Sequence, residues 1–310
     1  MKLSRRDWHK LTFGGLASTV FRLAQQRVDA QSTYNGVLIG MQSYSFRDMS
    51  LDQGIAAMIE LGITSCELWE GHVEPRELYH PDNREHLRRW RTMTPLGYFR
   101  DIRNKFDRAG IELSAYNQSF KDHFSDDEIE RGFEITQTLG APAITSSAQM
   151  SVVPRIAQVA ERLGVPVAMH NHSRVDSDEF SSPAHFDEAI RLGGAAPIAV
   201  NLDIGHMVAA NHDPLAYLQA NYQRVVTLHL KDRLRDQGPN VPWGEGDAPI
   251  RETLLLLQQE QWNIPANIEY EYSGSDTMTE LRRCIDFCKE VLSLSLINIS
   301  EPTRRTPISD

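Results

Sequence analysis

Cysteine is scarce in this chain: Cys66, Cys284 and Cys288 are the three in 310 residues, too few and too scattered for a disulfide framework. Cys284 and Cys288 stand one helical turn apart among apolar neighbours, which is the pattern of core residues, and Cys-x-x-x-Cys on one helix is a poor metal pair. Long apolar runs are missing as well. The stretch Leu11 to Phe21 is broken by Gly14 and Gly15 and falls far short of the ~20 residues a membrane span needs. Positive charge is in deficit, with 32 Lys and Arg against 42 Asp and Glu. A net charge of −10 counts against nucleic acid as a partner, because phosphate backbones are bound by clustered cations. No strand candidate leads into a Gly-x-Gly-x-x-Gly turn, so no dinucleotide site is expected.

What is present begins with Ser4-Arg5-Arg6-Asp7-Trp8-His9-Lys10, followed by the mildly apolar stretch and then by Val28-Asp29-Ala30. Basic pair, apolar stretch and small-residue site in that order look like a twin-arginine export signal cleaved after Ala30. An amphipathic N-terminal helix is the plainer alternative. Cleavage would take six basic and two acidic residues and move the net charge from −10 to −14. The mature protein is then expected in the periplasm or outside the cell, with no stable membrane association.

From Val37 onward, short β-rich runs alternate with helical patterns every 25 to 40 residues, the signature of repeated βα units. Eight strand candidates stand out: 37–46, 65–70, 111–119, 143–149, 166–172, 198–205, 225–232 and 267–272. Helix stops at Leu61-Gly62, Ala109-Gly110, Leu139-Gly140 and Leu163-Gly164 each precede the next strand. The fold class is therefore α/β, a single (β/α)8 TIM barrel over residues 35–291, preceded by the signal at 1–30 and followed by a disordered tail at 292–310. In such a barrel, catalytic groups gather where strands end. The long Gly- and Pro-rich segment 233–249 is expected to fold over that mouth.

Period-two alternation then sorts the side chains of the second half. His170 and His172 share one face of strand five, Asp203 points inward from strand six with His206 at the turn, His229 and Lys231 share the inner face of strand seven, and Glu269 and Glu271 that of strand eight. His170, Asp203, His229 and Glu269 lie about one repeat apart and converge around half the rim. This set suits one divalent ion, Mn²⁺ first and Zn²⁺ or Co²⁺ as alternatives, while two imidazoles argue against Ca²⁺ or Mg²⁺. Each acid has a plainer reading: it could cap a helix or pair with Lys231. Four on successive strands are harder to explain so, since buried charges need compensation. On the opposite rim, Gln42 and Tyr44, Glu67, Trp69 and Glu70, and Asn117 are candidates for binding hydroxyls. Trp243 and Glu245 of the long loop join Gln42, Glu67, Trp69 and Asn117 as substrate-binding candidates.

The segments His170-Asn171-His172, Asp203-Ile204-Gly205-His206, His229-Leu230-Lys231-Asp232, Gly244-Glu245-Gly246-Asp247 and Glu269 resemble the motifs of the xylose isomerase-like TIM barrels. That superfamily includes sugar phosphate isomerases and epimerases, inosose dehydratase and endonuclease IV. The resemblance spans the chain after residue 35. It implies a ligand set of Glu, Asp, His and Glu on these strands, matched by Asp203, His229 and Glu269. Strand five departs, because His170 stands where many members have Glu. That puts a symmetric proton exchange between two glutamates in doubt; ligation by His170 is favoured over a hydrogen-bonded structural role.

The expected activity is isomerisation or epimerisation of a keto- or hydroxy-sugar, by proton abstraction beside a carbonyl and an enediolate held by the metal, with Glu269, His172, His206 and Lys231 as candidates for proton transfer. Loss of a β-substituent from a 3-keto-glycoside or inosose-like substrate, a lyase reaction, is the alternative. Export favours unphosphorylated sugars. More distant readings are an endonuclease IV-like phosphodiesterase, disfavoured by the acidic charge, and a sugar-binding protein without turnover. An oligomer is not readable from the sequence.

Overall fold

The computed structural model describes residues 32–175 and 178–299. Eight parallel strands are named here in chain order: β1 (Val37–Gln42), β2 (Ser65–Trp69), β3 (Glu112–Asn117), β4 (Ile144–Ser146), β5 (Val167–His170), β6 (Ile198–Asp203), β7 (Val225–Leu230) and β8 (Ala266–Ile268). Each pairs with the next, and β8 pairs back onto β1 through Ile39–Ala266, Gly40–Asn267 and Met41–Ile268. This closes the barrel that the eight-repeat reading required. A two-residue strand, Thr33–Tyr34, lies antiparallel against the start of β1; it is too short to show a period.

Helices α1 (Leu51–Leu61), α2 (Arg84–Met93), α3 (Leu96–Ala109), α4 (Asp126–Leu139), α5 (Val153–Leu163), α6 (Pro183–Gly193), α7 (Ile204–Ala209), α8 (Pro214–Asn221), α9 (Ile250–Glu260) and α10 (Thr277–Ile299) surround the strands. The four glycines read as helix stops, Gly62, Gly110, Gly140 and Gly164, all sit at C-caps with φ between +66° and +72°, the left-handed conformation that ends a helix without a Cβ clash. Outward-facing Val167, Met169, Val200, Leu202, Leu228 and Leu230 are fully buried between sheet and helices. Inside, the barrel is packed with polar side chains instead: Gln42, Glu67, Thr145, Asn201, Thr227 and Asn267 are all buried.

Two boundaries move. Strand six ends at Asp203 rather than Gly205, because its carboxylate accepts from the His206 N–H at 2.7 Å and so caps α7, which begins at Ile204. The last helix does not stop near residue 291 but continues to Ile299, with Leu292 buried and its carbonyl accepting from Asn35 and Gln258. Residues 1–30, read as an export signal, and residues 300–310 of the tail lie outside the described residues. Among the described residues no helix is long and apolar enough to cross a membrane.

Candidate active site

The barrel's alternation delivers four side chains from four consecutive strands to one point. His170 closes β5, Asp203 closes β6, His229 lies beside it in register on β7, and Glu269 follows β8, its N–H donating to the Leu230 carbonyl at 3.1 Å. Their candidate ligand atoms all lie within 4.8 Å of one another, and all four residues are buried. His170 Nδ1 is buried without a hydrogen-bond partner, while Asp203 Oδ2, His229 Nδ1 and Glu269 Oε2 are buried and meet one another and Lys231. Glu269 Oε2 and Asp203 Oδ2 are 3.0 and 3.9 Å from His229 Nδ1. Asp203 Oδ1 caps α7, while Oδ2 faces the cluster.

Lys231, 2 % exposed, extends into the same cluster with its Nζ 3.1 Å from Asp203 Oδ2, 2.9 Å from Glu269 Oε2 and 2.5 Å from Glu271 Oε2. Burial alone would lower the lysine's pKa, but the three carboxylates outweigh it and raise it, so Lys231 is charged. Glu269 shows the converse: burial pushes its carboxyl up, yet Lys231 and His229 hold it well below the usual range. For Asp203, burial wins and the pKa is raised. The His229 imidazole is disfavoured as a cation by burial, but Glu67 and Glu269 together hold its pKa well above the ordinary value. His170 goes the other way, lowered well below by burial and then by His229 and His172.

These features test whether a divalent cation fits. Asp203, Glu269 and Glu271 face the Lys231 ammonium and the His229 imidazole, whose pKa the carboxylates raise; a divalent ion that displaced the imidazole proton would keep these carboxylates compensated. The four converging residues offer two imidazole nitrogens and two carboxylate oxygens, a donor set suited to Mn²⁺, Zn²⁺ or Co²⁺. The residues present fit the group.

Around this floor opens a cavity of about 270 Å³ lined by Gln42, Tyr44, Trp69, Asn117, His170, His172, His206, His229, Lys231, Glu269 and Glu271, together with Ser119, Lys121 and Ser147. The last three were not singled out in the sequence, although Ser119 and Ser147 follow strand ends and polarity there was the available signal. Trp69 forms one wall, edge-on to Tyr44 at 4.8 Å. His172 Nδ1 lies 2.9 Å from Glu179 Oε2, and the bond holds the Glu179 carboxyl down at about 2. His206 lies between cations, Nδ1 2.6 Å from Arg233 Nη1 and Nε2 3.0 Å from Lys231 Nζ; burial and then Lys231 push its pKa well below the ordinary value. His170, His172 and His206 also cluster. Arginine and a lysine ammonium can both only donate, and a neutral imidazole has one acceptor nitrogen, so His206 accepts from one of these two cations at a time.

Four residues expected to bind substrate lie elsewhere. Glu67 does not reach the cavity: it is 0 % exposed and lies beneath the floor, accepting hydrogen bonds from inward side chains of other strands. Trp243 packs edge-on against Phe287 of α10 at 5.7 Å, and Glu245 is exposed, so neither lines the cavity. Just past β7, the Asp232 carboxylate accepts from the N–H groups of Gly244, Gly246 and Ala248 at 2.8 to 3.1 Å and so fixes the path of the loop carrying them, while Arg233 and Asn240 of the same loop reach His206 and Glu271 of the cavity lining. Glu70 also turns away from the cavity: it is buried near Arg91, and burial and Glu74 raise its pKa to about 8.

Comparison with known proteins places this geometry. Residues 55–291 match the family model described as the xylose isomerase-like TIM barrel. A stretch of 88 residues is 31% identical to the L-ribulose-5-phosphate 3-epimerase of Escherichia coli, covering 28% of this chain and 31% of that enzyme. The match thus spans about a third of the length of the curated relatives. Among solved structures, L-ribulose 3-epimerase superposes with TM-score 0.63 at 14% identity, covering 87% of this chain and 100% of the other. The 3-keto-D-glucoside 4-epimerase of E. coli superposes with TM-score 0.61 at 13% identity, covering 82% and 99%. At these identities the solved structures attest the fold.

Proposed function

The chain belongs to the xylose isomerase-like TIM barrel family, and from that premise we propose that it is a metal-dependent isomerase or epimerase acting on an unphosphorylated keto- or hydroxy-sugar outside the cytoplasm. The observation that carries this is the convergence of His170, Asp203, His229 and Glu269, all buried, with their candidate ligand atoms within 4.8 Å of one another at the floor of a polar cavity. A divalent ion held there supplies a Lewis acid that polarises the substrate's carbonyl and acidifies the neighbouring C–H. Glu269, kept ionised by Lys231 and His229, takes that proton. Lys231 donates to the oxygen on which charge builds, with His206 Nε2 3.0 Å from its Nζ. Asn117, Ser119 and Ser147 orient hydroxyls, and Trp69 walls the sugar face. The absence of phosphate from the proposed substrate rests on the cavity's two lysines. Lys231 is engaged by three carboxylates, and Lys121 lies 3.6 Å from Glu179 while donating to the Ser147 carbonyl. Both are already compensated. Export rests on the Arg5-Arg6 motif and the Ala30 site.

A lyase reaction on a 3-keto-glycoside is the second reading, favoured by the distribution of groups. The lining carboxylates Glu269 and Glu271 both follow β8, while the other side presents the imidazoles of His172 and His206. Base on one side and proton donor on the other also suit elimination.

The test is a panel of unphosphorylated keto-sugars and 3-keto-glycosides with Mn²⁺ in deuterated water. Solvent deuterium at the carbon beside the carbonyl, lost by at least about 10³-fold in Glu269→Gln while substrate still binds, is the expected result. Turnover confined to phosphosugars, or undiminished in Glu269→Gln, would overturn the proposal. An unsaturated product in place of the epimer selects elimination.

A further inference from the structure

The buried carboxylate of Glu67 has no place in the chemistry just described, yet it is the most heavily hydrogen-bonded group in the barrel interior. Its Oε1 accepts from Gln42 Nε2 at 2.9 Å, Thr145 Oγ1 at 2.6 Å and Asn201 Nδ2 at 3.3 Å. Its Oε2 accepts from Asn267 Nδ2 at 3.0 Å, with Thr227 Oγ1 at 3.5 Å. These donors come from β1, β4, β6, β7 and β8, so one side chain from β2 ties five other strands at the barrel axis. The sixth neighbour is His229 Nε2, 2.9 Å from Oε1. An ionised carboxylate only accepts, so the proton between them belongs to the imidazole. The Asn201 amide, 3.1 Å from the same nitrogen, does not change this, because a carboxylate facing a bare nitrogen lone pair at 2.9 Å would be repelled.

We infer that Glu67 is a positioning residue for the metal centre: by holding His229 through Nε2 at 2.9 Å, it aims Nδ1 at Asp203 and Glu269, so that Nδ1 is the nitrogen that would give up its proton to a bound cation. Imidazole ligands are commonly oriented by a carboxylate on the far nitrogen, which also makes the ligating nitrogen more basic. Here the orienting acid comes from the opposite side of the barrel and is itself locked by four other strands. Neighbouring Gly40 makes room for this lock, because a Cβ there would overlap the Asn267 side chain that donates to Glu67.

The inference rests on the metal reading, and the experiment separates the two. Histidine-selective ¹⁵N labelling of the wild-type protein, loaded with Zn²⁺, reports the tautomer of each ligand ring. His229 is expected to carry its proton on Nε2 and the metal on Nδ1. Zn²⁺ affinity is then measured by competition with a chromophoric chelator. Glu67→Gln is expected to weaken it about 10- to 100-fold. Thr145→Val removes a donor to Glu67 without touching His229 and is expected to lower the melting temperature but keep affinity within about threefold of wild type. Wild-type His229 ligating through Nε2 would overturn the inference even if Glu67→Gln does not fold. Equal affinity in Glu67→Gln and wild type, or equal losses in Glu67→Gln and Thr145→Val, would also overturn it and leave the metal reading standing. Wild-type protein that takes up no Zn²⁺ removes both.

Discussion

At the scale of single residues, the site is governed by which charges face each other without water. Lys231 balances three carboxylates, and removing one partner of a buried ion pair costs about 3–5 kcal/mol because the others stay behind uncompensated. Lys231→Met is therefore expected to lower the melting temperature in chelator by roughly 10 °C. Saturating Mn²⁺ is expected to raise it more in this variant than in wild type, because the ion then meets one more uncompensated charge. Equal Mn²⁺ shifts in the two proteins would contradict this account of the charge balance. The His172–Glu179 pair makes a pH prediction. The folded Glu179 carboxyl titrates at about 2, below its ordinary 4.5, so the fold favours the ionised form. Its contribution is complete above about pH 4.5 and disappears as pH falls toward 2. A Glu179→Gln variant is expected to show a flatter acid limb in a plot of melting temperature against pH, and an unchanged limb would refute the pairing.

Elements contribute through their ends, where backbone groups lack partners. Helix α4 starts with a reciprocal cap: Ser125 Oγ accepts from the Glu128 N–H at 3.2 Å, and Glu128 Oε2 from the Ser125 N–H at 2.8 Å. Glu128 also accepts from Arg88 and Arg91, so the cap joins α2 to α4. Ser125→Ala is expected to cost about 1 kcal/mol in equilibrium urea unfolding, with activity unchanged. Full stability in that variant would show that Glu128 is held by the arginines alone. The same local chemistry explains why helix stops could be read directly: a Leu-Gly or Ala-Gly step before a β-rich run requires only the left-handed conformation at that glycine. Strand ends were less legible. Asp203 ends β6 by capping α7, and one carboxylate symbol in the sequence does not say which oxygen caps and which faces the cluster.

For the whole molecule, closure of the barrel turns four distant segments into one cation site, so ion binding and global stability are linked. At about a hundred times its dissociation constant, Mn²⁺ should add about 2.7 kcal/mol. For a domain of this size that corresponds to a rise of roughly 5–10 °C in melting temperature, reversed by chelator, and no shift would count against a metal site. Repeat number, barrel class, and the inward direction of His170, Asp203, His229, Lys231 and Glu269 were determined by the sequence alone, because period-two alternation and helix caps are local properties. The tertiary structure alone decided that Glu67 lies under the floor bonded to His229, 162 residues away, rather than against substrate. It also decided that Lys231 gathers three carboxylates, that Asp232 binds the Gly244 N–H, and that Trp243 packs against Phe287. Alternation fixes the face on which a side chain lies, but its depth along the barrel axis and its partner depend on the stagger of strands far apart in the chain, which no local pattern encodes.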